Sequence, residues 1–408
     1  MASIVCLTNT FPYKGEQFLR TELELVDPSI PIELWTFLPP ENGSAVLLQR
    51  ETIGLHVYDE AKTSLLGKVM AAISSVIQLL KNKEFAAALR KKGIIRNLIK
   101  SIKFGYISEL RVIQISDWVR RVYGDAPRLI FYSYWMYEVA YVAARLKTIF
   151  PQSKFVTRCH RFDLYESQHA NGYLPYRHFI LEMADIVFPI SEDAKQYLNA
   201  LYRNKYDHKM EVARIGSIRD FDSLYTGDNE KILLVSCSNM IPVKRVSLIA
   251  EALQKTDLNI EWYHFGDGET RSKVEEIIKK FPKNVCGHLM GYTQNVDIQK
   301  FYSSHDITAL INTSSSEGVP VSIMEAQSYG IPVIATNVGG TSEIVMDGKN
   351  GVLLSVDFSS EELLSAIETV LAHKDSYHTG AINTWSSMSD QQKLVMEFYT
   401  RLSSLEEH

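Results

Sequence analysis

Two carboxylates, Glu317 and Glu325, stand with seven residues between them in the string SSSEGVPVSIMEAQSYGIPVIATNVGGTSE, Ser314 to Glu343. The apolar run Ile307 to Ile311 reads as a buried strand, and Ser322 to Ser328 as a short helix closed by Gly330 and Pro332. The first turn of such a helix leaves backbone N–H groups unpaired, so the turn Gly318, Val319, Pro320, Val321 and Ser322 suits an anion such as a phosphate, with Glu317 outside on the loop. Glu325 falls one turn further in, about 5 Å along the axis. A purely structural alternative exists for it: Ser322-Ile-Met-Glu325 has the spacing of a capping box. Upstream, the strand KILLVSCS leads into Asn239-Met-Ile-Pro-Val-Lys244-Arg245. A helix starting there sets Lys244 near the expected cleft, where a fixed cation would stabilise charge on phosphoryl oxygens; alternatively, the Lys-Arg pair is solvated charge.

Other segments offer weaker signals. His264-Phe-Gly266-Asp-Gly268-Glu has a G-x-G turn but no acidic residue about twenty positions on, so it does not read as a dinucleotide fingerprint. Thr157-Arg158-Cys159-His160-Arg161-Phe162-Asp163 ends a strand with ionisable groups, although a lone histidine such as His160 is often structural. Asn9 to Glu16, NTFPYKGE, reads as a strand-to-helix loop in which Gly15 permits close backbone approach beside Lys14. Asp220-Phe-Asp222 has a metal-binding spacing, but its setting reads as a solvated linker turn.

The Glu317 to Glu325 segment and its continuation GIPVIATNVGGTSEIV resemble the E-x(7)-E region of family 4 retaining glycosyltransferases, and the resemblance covers the C-terminal half. It implies a GT-B fold, a nucleotide-sugar donor and no metal or other cofactor. It implies further that Glu317 faces the sugar hydroxyls and Glu325 the nucleotide ribose. Lys244 falls in a segment similar to the family's G-R-x-x-x-x-K-G, with Asn239 in place of the arginine and Arg245 in place of the last glycine. Diphosphate binding is then reorganised, with Arg245 as a substitute. By the same resemblance Gly266 and Gly268 lie beside the nucleotide, Tyr292 and Thr293 belong to the loop that reads the base, and His160 contacts the donor sugar. Gly15, Lys14 and Asp163 are assigned to the acceptor side. RFDLYES and the following YLPYR look like polysaccharide-biosynthesis members. The implied activity is transfer of a hexose, with UDP the favoured nucleotide, to a sugar or a polyprenyl-diphosphate-linked sugar in surface polysaccharide assembly. Two alternatives stand beside it: a retaining glycoside hydrolase using the glutamates as a pair, and a non-catalytic nucleotide-sugar binder.

These residues need a frame, and 408 residues with 46% hydrophobic content allow two cores. Strand-like and helix-like runs alternate from Lys231 to Asn337, and less cleanly at Ser3–Asn9, Ile32–Phe37, Leu129–Trp135, Lys154–His160 and Ile186–Ile190. Alternation of this kind specifies parallel sheets covered by helices, hence an α/β protein with two Rossmann-like domains, expected to face a central cleft. The domains are read as 1–216 and 217–384, with the polar linker between Gly216 and Glu230. A helix within 385–408 returning to the first domain is implied by the resemblance.

A net charge of −5 and the lack of an aromatic-interleaved basic tract argue against nucleic acid. Cys6, Cys159, Cys237 and Cys286 lack ligand spacing and read as reduced core thiols. No signal peptide is visible, so a cytoplasmic protein is expected. The apolar run Leu65 to Leu80 is too short and too interrupted to span a bilayer. From Lys62 to Lys103, however, ten basic residues face one acidic residue, Glu84. Leu65, Val69, Ile73, Val76 and Leu80 form a helical stripe that Leu98 and Ile102 continue in a second helix. Such helices suit an anionic membrane surface on the cytoplasmic face, with salt-sensitive binding. The alternative is a helical pair packed on the sheet with a solvated basic face.

Overall fold

Strands between two helical layers are buried on both faces, and short Ile-, Val- and Phe-rich runs fill that role throughout the chain. The computed structural model describes residues 3–11, 18–39, 52–221 and 232–406. The chain divides into two units, Met1–Ala213 with Val395–His408, and Arg214–Leu394.

In the first unit, β1 (Ile4–Thr10), β2 (Ile32–Leu38), β3 (Ile53–Val57), β4 (Ile130–Ser133), β5 (Lys154–Cys159) and β6 (Ile186–Pro189) form a sheet ordered β3-β2-β1-β4-β5-β6. All its pairings are parallel. Its helices are α1 (Phe18–Leu25), α2 (Leu65–Lys81), α3 (Glu84–Leu89), α4 (Ile94–Tyr123), α5 (Glu138–Ile149), α6 (Arg161–Leu164), α7 (Arg177–Met183) and α8 (Glu192–Tyr202).

The second unit repeats the plan. Here β7 (Ile232–Cys237), β8 (Ile260–Phe265), β9 (Val285–Gly291), β10 (Ala309–Asn312), β11 (Val333–Thr336) and β12 (Gly351–Leu354) run parallel in the order β12-β11-β10-β7-β8-β9. Its helices are α9 (Val246–Leu253), α10 (Arg271–Ile278), α11 (Asn295–Ser304), α12 (Val321–Ser328), α13 (Thr341–Ile344), α14 (Ser360–Ala372) and α15 (Lys374–Met388), and α16 (Gln391–Ser403) follows. In both units the strand order reverses beside the first strand, between β1 and β4 and between β7 and β10. A crevice opens at such a switch point, beyond the carboxyl ends of the strands.

Several expectations change. The edge strands β3 and β12 escape the sequence reading because their apolar runs, IGLHV and GVLL, are short and each is interrupted or opened by glycine. The single helix expected within 385–408 is two: α15 stops at Met388 and α16 starts at Gln391. The break is held by Ser217, whose N–H donates to Ser389 O at 2.9 Å and whose carbonyl accepts from Gln391 N at 3.2 Å. The string Gly216 to Glu230 lies largely outside the described residues, and the unit division falls just before it. Cys6 and Cys159 are buried, but Cys286 is exposed on β9, an edge strand of its sheet, so it is not a core thiol.

The helical pair on the first sheet is also not as the packed alternative has it. Leu65, Val69, Ile73, Val76 and Leu80 of α2 all point outward, and the helix packs on α4 through Ala71, Ser75, Gln78 and Leu79. Among the described residues no helix is long and apolar enough to cross a membrane.

Candidate functional site

At the switch point of the second unit, the chain leaving β7 and the chain leaving β10 are tied together. Ser315 N donates to Val243 O at 2.8 Å, and Thr313 Oγ1 donates to the carbonyls of Lys244 and Arg245 at 3.1 and 3.2 Å. The result is a contact between residues 73 apart: Lys244 Nζ donates to Glu317 Oε1 at 2.6 Å. Asn312, the last residue of β10, donates to the same oxygen at 3.3 Å. The Lys244 side chain remains 23% exposed and that of Glu317 9%, so the pair is reachable at one end and supported at the other.

Lys244 arrives there differently from expectation. It closes a single 3-10 turn, Pro242–Lys244, and Arg245 then takes a left-handed conformation with φ of 50° before α9 begins at Val246. Arg245, read from the sequence as a substitute diphosphate ligand, has protein partners at two of its nitrogens, while Nη2 has none among the described residues. Its guanidinium donates to Thr313 O and Val356 O, both at 2.7 Å, and lies over the Phe358 ring, so it braces loops. Asn239 is exposed on the loop after β7, and its carbonyl accepts from Ile241 N at 3.0 Å.

The turn Gly318 to Ser322 leads into α12 as expected, with Pro320 at the cap position and no side chain capping the helix start. Proline has no side-chain acceptor, and although Ile323 N donates to Pro320 O at 3.1 Å, the Val321 and Ser322 amides at the helix start can face an anion. Ser322 is inside the helix, and the capping-box alternative fails. Glu325 instead accepts from Asn295 Nδ2 at 2.7 Å, with Gln299 Nε2 donating to Asn295 Oδ1 at 2.8 Å and Tyr329 OH to Gln299 Oε1 at 2.8 Å. Burial pushes the Glu325 carboxyl up to about 7 against the pull of the Asn295 hydrogen bond, and nearby Asp220 adds to the rise. Glu317 and Glu325 thus have separate partners, a cation for one and an amide for the other.

A third loop locks the first two. The backbone of Gly340 donates to Gly318 O at 2.7 Å, and a Cβ on Gly339, at φ of 53°, would lie 2.2 Å from Glu317 O. Only glycine allows this approach, which holds the Glu317 backbone in place. After β8, Gly266 is equally confined: a Cβ there would lie 1.9 Å from Ser238 O. Gly268 packs beside Met240 in the same turn. Tyr292 is 76% exposed beyond β9, whereas Thr293 bonds back to Gly291 O at 3.2 Å.

In the first unit, His160 follows β5 and lies tilted against Trp135 and Tyr134, with ring centroids 4.4 and 4.8 Å away. Burial, aided by the Arg158 charge, holds its imidazole well below the ordinary histidine value, so the ring is neutral near pH 7. Its ring nitrogens have no hydrogen-bond partner among the described residues. Asp163, assigned to the acceptor side, has backbone partners and also lines the cavity at this sheet's switch point. Its carboxylate is buried and accepts from the backbone N–H groups of Met136 and His160 at 2.5 and 2.6 Å, with burial raising the carboxyl to about 7. It pins the loops after β4 and β5. Gly15 and Lys14 lie outside the described residues, as does Asp222. At this sheet's own switch point Thr8, Asn9 and Thr10 meet Trp135, Tyr137, Phe162 and Asp163 around a cavity of about 320 Å³.

Sequence reasoning missed Asn295, Asn312 and this aromatic cluster. Asn312 carried one usable signal, since it is a polar residue ending an apolar strand directly before the glutamate loop. Asn295 carried none, because it lies 30 residues from its partner Glu325.

Residues 221–383 match the family described as "Glycosyl transferases group 1". Curated relatives include the poly(ribitol-phosphate) alpha-N-acetylglucosaminyltransferase of Staphylococcus aureus, 31% identical over 157 residues, covering 36% of this chain and 30% of that protein. The poly(glycerol-phosphate) alpha-glucosyltransferase of Bacillus subtilis is 33% identical over 179 residues, 42% of this chain and 24% of that protein. The chain thus spans well under two thirds of these relatives' length. Among solved structures, a lipopolysaccharide outer core galactosyltransferase WaaB covers 98% of this chain and 99% of its own at a TM-score of 0.67 and 16% identity. Anabaena HepE in complex with UDP covers 98% and 100% at a TM-score of 0.68 and 16% identity. At such identities the likeness establishes the fold, two parallel six-stranded sheets of the GT-B kind.

Proposed function

We propose, taking residues 221–383 as a group 1 glycosyl transferase domain, that the protein is a metal-independent retaining glycosyltransferase of bacterial polysaccharide assembly. It transfers a hexose from a UDP-sugar to a sugar acceptor carried on a lipid. The observation that carries the reading is the Lys244–Glu317 pair beside the uncapped start of α12, at the switch point of a parallel sheet. An incoming diphosphate competes with the carboxylate for Lys244, and the α12 amides receive its remaining charge. Glu317, released by Lys244 and still held by Asn312 at Oε1, accepts hydrogen bonds from the sugar, while Glu325 accepts from the nucleotide ribose. The lysine and helix terminus supply the leaving-group stabilisation that a metal supplies elsewhere. UDP is favoured because a fold relative was solved with UDP bound. The polymer-assembly reading draws support from relatives named for poly(ribitol-phosphate) and poly(glycerol-phosphate).

The test needs no acceptor. UDP-, GDP- and ADP-sugars are screened for slow nucleotide release with a chelator present. Release from a UDP-sugar, lost in Lys244→Ala and Glu317→Ala variants that melt as the parent does, is the expected result. Full release by both variants, or release only when a divalent cation is restored, would refute the assignment.

A further inference from the structure

The helix α2 is amphipathic in the inverted sense. At 3.6 residues per turn, Leu65, Leu66, Val69, Met70, Ile73, Val76, Ile77 and Leu80 occupy an arc of about 140°, and every one of them is exposed, from 48% at Val69 to 80% at Leu65. The opposite face, which packs on the protein, is small or polar: Ala71, Ser75 and Gln78 with Leu79. Its contacts with α4 fit that character, since Ser74 Oγ donates to Glu109 Oε2 at 2.7 Å and Ser75 lies against Gly105. The start of α4 repeats the inversion, with Ile94, Ile95, Ile99 and Ile102 exposed and Asn97 and Ser101 buried. Phe85 and Leu89 of α3, which joins the two helices, are exposed as well.

A soluble helix turns its apolar arc inward, because each large aliphatic side chain left in water forgoes its burial free energy. A patch of this extent marks a surface that is covered in use. The charge around it selects the cover. Lys81, Lys83, Arg90, Lys92, Arg96 and Lys103 are exposed along the same segment, in a chain whose net charge is −5. A second copy would bring equal charges face to face across the patch. A cavity of about 470 Å³ at the C-terminal end of α2 is lined by Lys81, Lys83 and Arg90 together with Glu84, Glu182 and Lys205, and admits an anionic headgroup.

We infer that the outward face of α2, with α3 and the first turns of α4, is an in-plane insertion surface for an anionic lipid bilayer. The apolar arc sinks about 5–10 Å into the headgroup and acyl boundary while the flanking cations hold lipid phosphates. This deepens the lipid-carried acceptor reading above, but it is measured apart from transfer. Nucleotide release in vesicle-free buffer reports the site, and lipid insertion reports this face.

The experiment uses the full chain with phosphatidylcholine vesicles, with and without phosphatidylglycerol. Relative to the parent, the Ile73→Trp variant should gain fluorescence that lipids brominated in the acyl chain quench, only when phosphatidylglycerol is present. The double variant Ile73→Gln, Ile77→Gln should lose roughly tenfold or more in partitioning, with nucleotide release unchanged. Lys92→Gln with Arg96→Gln should weaken binding and flatten its salt dependence. High salt should reduce parent binding without abolishing quenching of protein already inserted. No quenching of the tryptophan introduced by Ile73→Trp, partitioning untouched by the glutamines, or a solution dimer that the glutamines disperse would each overturn the inference, the last by assigning the face to a second copy.

Discussion

Lys244 and Glu317 form a pair whose strength depends on what else is present. In the structure the carboxylate satisfies the ammonium; in the function proposed above, a diphosphate backed by the start of α12 takes its place. Lys244→Ala is expected to lower the transfer rate by about 10²–10³-fold, because a preorganised donor aimed at the leaving group is lost, and single-turnover kinetics at saturating donor will read it. Glu325 makes a different prediction. Its carboxyl is raised from the ordinary 4.5 to about 7, so the folded protein holds this proton more tightly than the unfolded chain. The associated stability is fully present below about 4.5 and is lost as pH rises through about 7. Glu325→Gln mimics the protonated form and should match the parent near pH 4. By pH 8 it should exceed the parent by about 1–3 kcal/mol in urea melts, while binding nucleotide more weakly. Parallel pH profiles for the two proteins would contradict the raised carboxyl.

Elements position these side chains through loop-on-loop contact. The β10–α12 loop carries Glu317, the β7–α9 loop carries Lys244, and the β11–α13 loop clamps the first through Gly339 and Gly340. Gly339→Ala places a methyl group where the Glu317 carbonyl lies and forces a left-handed alanine, which costs about 1–2 kcal/mol in backbone strain alone. The expected outcome is a melting temperature a few degrees lower together with a rate loss larger than that instability explains, since the carboxylate shifts off Lys244. A crystal structure of the variant with the Lys244–Glu317 distance still at 2.6 Å would contradict the clamp.

At the scale of the molecule, the chain closes its first unit with its last helix. Val395, Phe398, Tyr399 and Leu402 of α16 enter the core formed around β1, β2 and β4. Beneath them Arg158 and Glu22 form a buried ion pair, with Tyr132 and Tyr399 donating to the same carboxylate and Phe398 stacked 4.1 Å over the guanidinium. A buried charge left without its cover is costly, so this layer acts as a lid on an ionic core. Phe398→Ala should destabilise by about 3–5 kcal/mol, seen in denaturant unfolding as a lowered midpoint of the transition that reports the first unit. Nucleotide-dependent stabilisation of the second unit should persist in that variant, because the residues proposed to bind it all lie within Arg214–Leu394.

Much of this was legible in the residues. Alternating apolar runs required parallel sheets, the Gly-Pro turn placed the start of α12, and the spacing of Glu317 and Glu325 marked the segment that carries the site. These are local properties: periodicity and turn chemistry act over a few residues and are written along the chain. The choice of partners is not local. Glu325 meets Asn295 rather than its own helix cap, Arg245 bonds Thr313 and Val356, and Asp163 takes backbone amides of two loops. Each outcome is decided by which distant segment packing brings within hydrogen-bond reach. The same holds for α2, whose heptad-like stripe was plain while its direction was not. Periodicity shows that a helix has two faces, and only the packing of Ser75 and Gln78 toward α4 determined that the apolar one looks out.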